Sequence, residues 1–231
     1  MVSVMWSRFA LAGPTTEPAR RAFLILPLHV HILSCAERED LDCKLTDDDV
    51  HRIITKVNGV WHKAGIHFRL EPILREKAEN VKDFAEKAAD DLSTLGEYRL
   101  LRPASSRSLP GLHVYYIHQF AVNGVYLGGT TCFVKETARL RPVQGGIDEP
   151  IPRVTAHELG HAMGLPHRQD VTNLMASGNN GTTLNAAEGE IVRAKARKIS
   201  GAMTVEECEA ERQDDPDRAK WIRKDLDELL R

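Results

Sequence analysis

The feature that most constrains this chain is the segment 156–167, which reads AHELGHAMGLPH. His157 and His161 are four residues apart, and this spacing places both imidazoles on one face of an α-helix. Gly164 predicts an abrupt helix end, because glycine readily adopts the left-handed backbone conformation. The chain can then turn back and present His167 to the same point in space. The sequence therefore predicts three imidazoles around one metal ion.

Three histidines and a water are the open coordination of a catalytic zinc ion, whereas structural zinc sites close with four protein ligands. Glu158 lies beside the first ligand but one position round the helix, where its carboxylate can reach such a water without ligating the metal. With 10 His and 16 Gly in the chain, the whole pattern arises by accident on the order of once in ten thousand such chains. We therefore predict Zn²⁺ as the cofactor, His157, His161 and His167 as its ligands, and Glu158 as the catalytic residue.

The pattern H-E-x-x-H-x-x-G-x-x-H resembles the zinc signature of the metzincin metallopeptidases, which continues to a downstream Met-turn. Met175 lies eight residues after His167 and matches that turn. The spacing is nearest to the matrixin (matrix metalloproteinase) branch, in which Asp170 has its counterpart three residues after the last ligand. Arg168 and Val171 differ from that branch, which usually carries Ser and Pro at these positions.

The resemblance implies a zinc-dependent endopeptidase that acts on a protein or peptide substrate, with Glu158 as general base and Met175 as a floor beneath the imidazoles. It also implies an edge strand that runs antiparallel to the bound peptide, a role that would fall to residues 125–134 with Gly128 and Gly129. An ordinary interior hairpin is the alternative for that segment. The alternative for the whole protein is a non-catalytic, zinc-stabilised protein-interaction module on the same scaffold. A zinc hydrolase that acts on a bond other than a peptide bond is a third class.

Hydrophobic periodicity places the motif in a mixed α/β sheet domain. Alternating or β-branched runs predict strands, and apolar residues at helical spacing predict helices, the clearest of which begins after an N-cap at Thr46 and ends at Gly65. The predicted strands cover 24–32, 66–70, 112–120 and 125–134, and the predicted helices cover 50–64, 73–92, 151–162 and 185–199.

The resemblance also implies how these strands and helices are arranged in space. It implies a metzincin-like catalytic domain with a twisted, mixed five-stranded sheet, an antiparallel edge strand and the active-site helix below the sheet. We predict an N-terminal extension over residues 1–20 and an N-terminal catalytic subdomain over 21–167. A smaller, mostly helical C-terminal subdomain with the Met-turn is expected over 168–231.

Composition narrows the class of protein. The chain has 231 residues, enough to bury a sizeable core, and 31 basic residues against 33 acidic ones. This balance argues against a dedicated nucleic-acid binder. No apolar run reaches the roughly 18 residues of a membrane span. The apolar N-terminus lacks a basic start, so the sequence slightly favours the cytoplasm, and secretion through an atypical leader stays open. The oligomeric state is not predicted.

We predict structural roles for the cysteines and for the histidines outside the zinc motif. Cys35 and Cys43 are the only candidate for a disulfide among the four cysteines, and four reduced thiols are the alternative. We expect the other histidines to be surface residues or hydrogen-bonded core residues and not ligands of a second metal. They are His29, His31, His51, His62, His67, His113 and His118.

Overall fold

The computed structural model of this chain describes residues 23–88 and 92–210. The predicted N-terminal extension and the end of the tail lie outside these residues. The strands are β1 (Leu24–Ser34), β2 (Ile66–Leu70), β3 (Leu74–Lys77), β4 (Leu112–Ile117), β5 (Gly124–Tyr126), β6 (Thr131–Lys135) and β7 (Met203–Thr204). The helices are α1 (Asp47–Trp61), α2 (Val81–Lys87), α3 (Pro150–Ala162), α4 (Ala186–Ala196) and α5 (Val205–Ala210), with 3₁₀ segments at Glu39–Leu41, His62–Ala64 and Leu92–Leu101.

The strands form one mixed sheet in the order β2-β1-β4-β6-β5. Pairing is parallel from β2 to β6, and β5 is antiparallel to β6 at the end of the sheet. The short strands β3 and β7 also pair with β1, which brings the described strands to seven. The predicted mixed α/β fold with an antiparallel edge strand is therefore confirmed, while the expected count of five strands is corrected to seven.

Helix α1 follows its sequence signals closely. Thr46 and Asp49 form a reciprocal capping box at its start. Its apolar side chains, with Trp61 fully buried, pack in one core cluster with those of α3 and the inner face of the sheet. After a 3₁₀ turn, Gly65 adopts φ 67° and ends the segment as predicted. A second core of aromatic residues lies on the other face of the sheet.

The predicted helix over 73–92 is wrong in its first part. Residues Leu74–Lys77 form β3 and pair with the end of β1, and helix α2 spans only Val81–Lys87. The reason is the length of β1, whose 11 residues extend beyond β2. The backbone groups at that exposed edge need partners, and tertiary pairing overrides the local preference of a polar segment.

The predicted single strand over 125–134 is a hairpin. Its two arms are β5 and β6, and the turn contains Gly128 at φ 92° and Gly129 at φ 63°. These glycines permit the left-handed turn, and among the described residues no other backbone approaches either of them closely. Of these two arms, only β5 lies at the edge of the sheet.

The cysteines and the helices bear on two further expectations. All four cysteines are free thiols, so Cys35 and Cys43 do not pair, and the reduced alternative describes the structure. None of the described helices combines the length and the apolar character that a bilayer span requires. The predicted boundary between the subdomains at 167/168 stays a prediction, although β7 from the C-terminal part joins the common sheet through β1.

Candidate metal centre

Helix α3 and the turn after it bring the three predicted ligands together. The side chains of His157, His161 and His167 each offer a ligand atom within 4.8 Å of the others. The helix ends at Ala162, and Gly164 at φ 89° reverses the chain so that His167 returns towards the helix. Among the described residues this is the one group of three or more potential ligands at such distances.

Backbone carbonyls orient two of these rings. His157 Nδ1 lies 2.8 Å from the carbonyl oxygen of Leu174, and His161 Nδ1 lies 2.7 Å from that of Leu165. A carbonyl can only accept, so each Nδ1 must carry the hydrogen, and each Nε2 keeps its lone pair for a metal. Burial lowers the pKa of His157 to about 3 and also lowers that of His161. Both rings are therefore neutral at physiological pH, as metal binding requires.

The distance between ligand atoms fits a single small cation. His161 Nε2 and His167 Nε2 lie 3.1 Å apart. Two nitrogens bound to one tetrahedral zinc ion at its usual bond length would lie about 3.3 Å apart. Imidazole donors suit zinc and neighbouring transition metals much better than magnesium or calcium. The residues present therefore fit Zn²⁺.

Glu158 is almost fully buried beside this group, under the edge strand β5. Burial raises the pKa of its carboxyl to about 8, against the opposing effects of Arg153 and of the backbone N–H of Tyr126. A carboxyl in such an environment binds a proton readily near neutral pH, which is what a general base must do.

Gly124 in β5 makes this arrangement sterically feasible, and no such role was predicted for it from the sequence. A Cβ atom at Gly124 would lie 2.6 Å from Val154 Cγ1 and 2.8 Å from Glu158 Oε1. The edge strand can therefore cross α3 at the carboxylate only because residue 124 has no side chain. From the sequence alone, a glycine at the start of a strand does not reveal which helix the strand crosses, so this close approach could not be predicted.

Met175 lies under helix α3 between the two helical histidines. It is fully buried, and its Sδ would be 2.6 Å from a Cβ placed on Gly160. The backbone N–H of Met175 donates to Asn173 Oδ1 at 2.7 Å, which fixes the turn. Gly160 lets the helix rest directly on the thioether, and the role of Met175 as a floor beneath the imidazoles stays a prediction.

Two buried charged residues near the site were missed by the sequence interpretation. The Arg153 guanidinium donates to the backbone oxygens of Gly181 at 3.2 Å and of Ala176. Glu188 accepts from Arg168 Nε at 2.7 Å and from Asn173 Nδ2 at 2.9 Å. Both join α3 or α4 to the segment that follows the third histidine.

The pKa values of these two groups reflect their burial. Burial lowers the pKa of Arg153 to about 10, so the guanidinium remains cationic at neutral pH. For Glu188, burial alone would raise the pKa, but N–H donors from Asn185, Asn173 and Arg168 outweigh it and lower the value. Glu188 is therefore an anion at neutral pH despite its burial.

A cavity of about 630 Å³ opens beside the three histidines. The edge strand β5 lines one side, the segment at Ser177 and Gly178 lines the other, and α3 forms the floor. Its floor and ends include Leu140, Arg153, Val154, His157, Glu158, His161 and His167. The cleft thus reaches the candidate metal ligands.

Comparisons with known proteins give only distant likenesses. No protein-family model matches the sequence. The structure is similar to archaemetzincin from Methanopyrus kandleri, with 15% sequence identity and a TM-score of 0.44 over 77% of this chain and 98% of that one. It is also similar to a chain from a chaperone–substrate complex, with 13% identity and a TM-score of 0.44 over 77% of this chain and 35% of that one.

A third similar structure is mature mirolysin from Tannerella forsythia in complex with a cleaved peptide. The identity is 14% and the TM-score 0.41, over 68% of this chain and 69% of that one. Because all three TM-scores lie below 0.5, the function proposed below rests on the chemistry of the site itself.

Proposed function

We propose that this protein is a zinc-dependent endopeptidase whose ligands are His157, His161 and His167 and whose general base is Glu158. The observation that carries the proposal is the convergence of three imidazoles beside a buried carboxyl group at the floor of an open cleft. Zn²⁺ bound there would act as a Lewis acid that lowers the pKa of water and polarises a peptide carbonyl.

The protein's own groups divide the remaining work. Glu158 takes a proton from the attacking water and later delivers it to the leaving amine. The outer edge of β5 pairs with no other described strand. The backbone N–H of Tyr126 is bound by Glu158, so the remaining outward backbone groups of the strand could pair with an extended peptide. Peptide binding along β5 would place a scissile bond over Glu158, because Gly124 brings the strand and the carboxylate together.

The nearest branch of the metzincin group is a separate part of the proposal. The spacing to Asp170 and Met175 favours the matrixin branch. Asp170 Oδ1 accepts from the backbone N–H of Thr172 at 2.9 Å, which caps the turn before Met175. Arg168, which departs from the matrixin pattern, pairs with Glu188. The zinc chemistry proposed here does not depend on this placement.

The test compares the wild-type protein with Glu158→Gln. We expect both to bind one zinc ion, and we expect the variant to lose hydrolysis of an unfolded protein such as casein by about 100-fold or more. Metal content is measured by elemental analysis, and cleavage is measured with and without a chelator. Glu190→Gln is the matched control, because Glu190 is an exposed glutamate on α4.

The outcome separates the competing classes of protein. Undiminished cleavage by Glu158→Gln would refute the assigned role. A wild-type protein that binds zinc but cuts no unfolded protein would favour the non-catalytic interaction module. A digest of a broad peptide library tests a zinc hydrolase that acts on another bond, since that enzyme would leave every peptide intact.

A further inference from the structure

The end of the cavity next to His157 contains a buried positive charge. Arg153 precedes His157 by one helical turn, a distance of about 6 Å along α3. The Arg153 side chain is 2% exposed and borders the cavity together with Ser177 and Gly178. The Arg153 guanidinium, whose Nη1 lies 3.2 Å from His157 Nδ1, therefore borders the cavity beside one of the candidate metal ligands.

The hydrogen bonds of Arg153 leave part of the guanidinium without an acceptor. Nε and Nη2 donate to backbone oxygens of the segment 176–181. Nη1 lies 3.2 Å from His157 Nδ1, but that nitrogen already donates its own hydrogen to Leu174 and cannot accept. Arg153 forms no ion pair with any described residue. Its electrostatic partner in the cavity is Glu158, which does not bond to it directly. A carboxylate that reached Nη1 would form a strong, charge-assisted bond.

A second cation flanks the same wall. Arg141 pairs through its backbone with Gly178 and Asn180. Its Nη2 would lie 3.5 Å from a Cβ placed on Gly178. Among the described residues that line the cavity, Glu158 is the only carboxylate. This end of the cleft is therefore electropositive.

We infer that this end of the cleft binds an acidic side chain on the residue that follows the scissile bond. The inference rests on the proposed peptidase function and adds a substrate class to it. The carboxylate would meet Arg153 at the base of the pocket and Arg141 at its rim.

A purely structural role for Arg153 makes a different prediction. In that case its bonds would only hold the segment 176–181 in place, and Val154 and Leu140 would favour an apolar side chain. The two cases differ most clearly for glutamate against glutamine. These side chains have the same size, and only one of them carries a charge.

The experiment first digests a peptide library with the zinc-loaded wild-type protein and maps the cleavage sites by mass spectrometry. A series is then built on the best-cut sequence, with Glu, Gln or Leu after the scissile bond. We expect Asp and Glu to be enriched at that position, and kcat/KM for the Glu peptide to exceed that for the Gln peptide about tenfold or more.

Equal or faster cleavage of the Gln or Leu peptide would overturn the inference while the proposed function stands. Failure to cut any peptide would refute the proposed function, and the inference with it. The two failures are therefore distinguishable.

Peptide binding supplies a readout that does not depend on turnover. The Glu158→Gln protein should bind the Glu peptide about tenfold more tightly than the Gln peptide by fluorescence anisotropy. Adding Arg153→Met should remove this difference. If that change disrupts the wall, Arg141→Gln leaves the buried bonds intact and should reduce the difference two- to threefold, a rough expectation for a rim charge. An unchanged preference in both variants would contradict the inference.

Discussion

Two groups of three histidines lie in the described part of this molecule, and they are built in opposite ways. The ligand cluster consists of His157, His161 and His167. The sheet cluster consists of His29, His31 and His113, which lie on the neighbouring strands β1 and β4 and are all buried. Only the ligand cluster has nitrogens that converge within bonding reach of one cation.

The ring nitrogens of the sheet cluster contact one another and nearby hydrogen-bond acceptors. His31 Nδ1 lies 2.8 Å from Glu76 Oε2, and His31 Nε2 lies 3.0 Å from His113 Nδ1. His113 Nε2 lies 2.9 Å from the carbonyl oxygen of Leu109. These nitrogens follow one another in a line, and among the described residues only the ligand cluster has three ligand atoms within 4.8 Å of one another.

The difference indicates why only one of the two groups could hold a metal ion. In the ligand cluster, a backbone carbonyl takes the Nδ1 hydrogen of each helical histidine and leaves every Nε2 directed to one centre. In the sheet cluster, the ring centroid of His113 lies 5.1 Å from that of His29 and 5.2 Å from that of His31, and these rings stack. Their nitrogens bond in a chain and not around one point. The capacity to hold a metal ion therefore depends on the direction of the lone pairs and not on the number of imidazoles.

The largest expected effect tests this contrast directly. His167→Ala should weaken zinc binding by at least about 100-fold, because one of three protein ligands is lost. His31→Gln should leave zinc affinity within about twofold, since no sheet-cluster nitrogen faces the metal. Competition with a chromophoric chelator measures both affinities. Unchanged binding in His167→Ala, or an equal loss in a folded His31→Gln protein, would invalidate the distinction.

The sequence allowed the ligand cluster to be predicted because its geometry is local. A spacing of four residues on a helix and one glycine turn define where three imidazoles meet. The ends of α1 and the strand β2 were predictable for the same reason, since caps and alternation act over a few residues.

Features that depend on distant partners could not be predicted. Arg153 binds the carbonyl oxygen of Gly181, and Glu188 binds Arg168 and Asn173, and no periodic pattern relates such positions. Strand β3 was missed because its segment is mostly polar and lacks the alternation that identified β2, so only the pairing with β1 makes it a strand. For the sheet histidines, the expectation of a hydrogen-bonded core role holds, but the partners themselves were not foreseeable.

The next effect concerns acid stability and the sheet cluster. Burial lowers the pKa of His31 to about 4, opposed by its hydrogen bond to Glu76. The unfolded chain, with a pKa near 6.5, therefore binds more protons than the folded protein between these values. The stabilisation is fully present above pH 6.5 and is lost as the pH falls towards 4.

Chelator-treated wild-type protein should therefore lose on the order of 2 kcal/mol of unfolding free energy between pH 7.5 and pH 5, relative to His31→Gln. Urea unfolding at each pH measures the difference, and the subtraction removes the contribution of His157. The hydrogen count offers the opposing outcome. The contacts Glu76–His31, His31–His113 and His113–Leu109 each need one hydrogen, which makes three. When both imidazoles are neutral, each carries one N–H hydrogen, so they supply only two. A wild-type protein that gains stability at low pH would show that the chain retains the extra proton.

The smallest effect compares the carboxylates that support the two clusters. Glu76 contacts a histidine directly, whereas Glu188 reaches the ligand cluster only through neighbours. It binds Arg168, next to His167, and Asn173, next to the Leu174 carbonyl that orients His157. Glu188→Gln should therefore weaken zinc binding about tenfold, the usual range for an outer partner of a ligand, and Glu190→Gln should not change it. Equal zinc affinities in the two variants would mean that the backbone alone holds the turn, and that the ligand cluster, unlike the sheet cluster, requires no carboxylate.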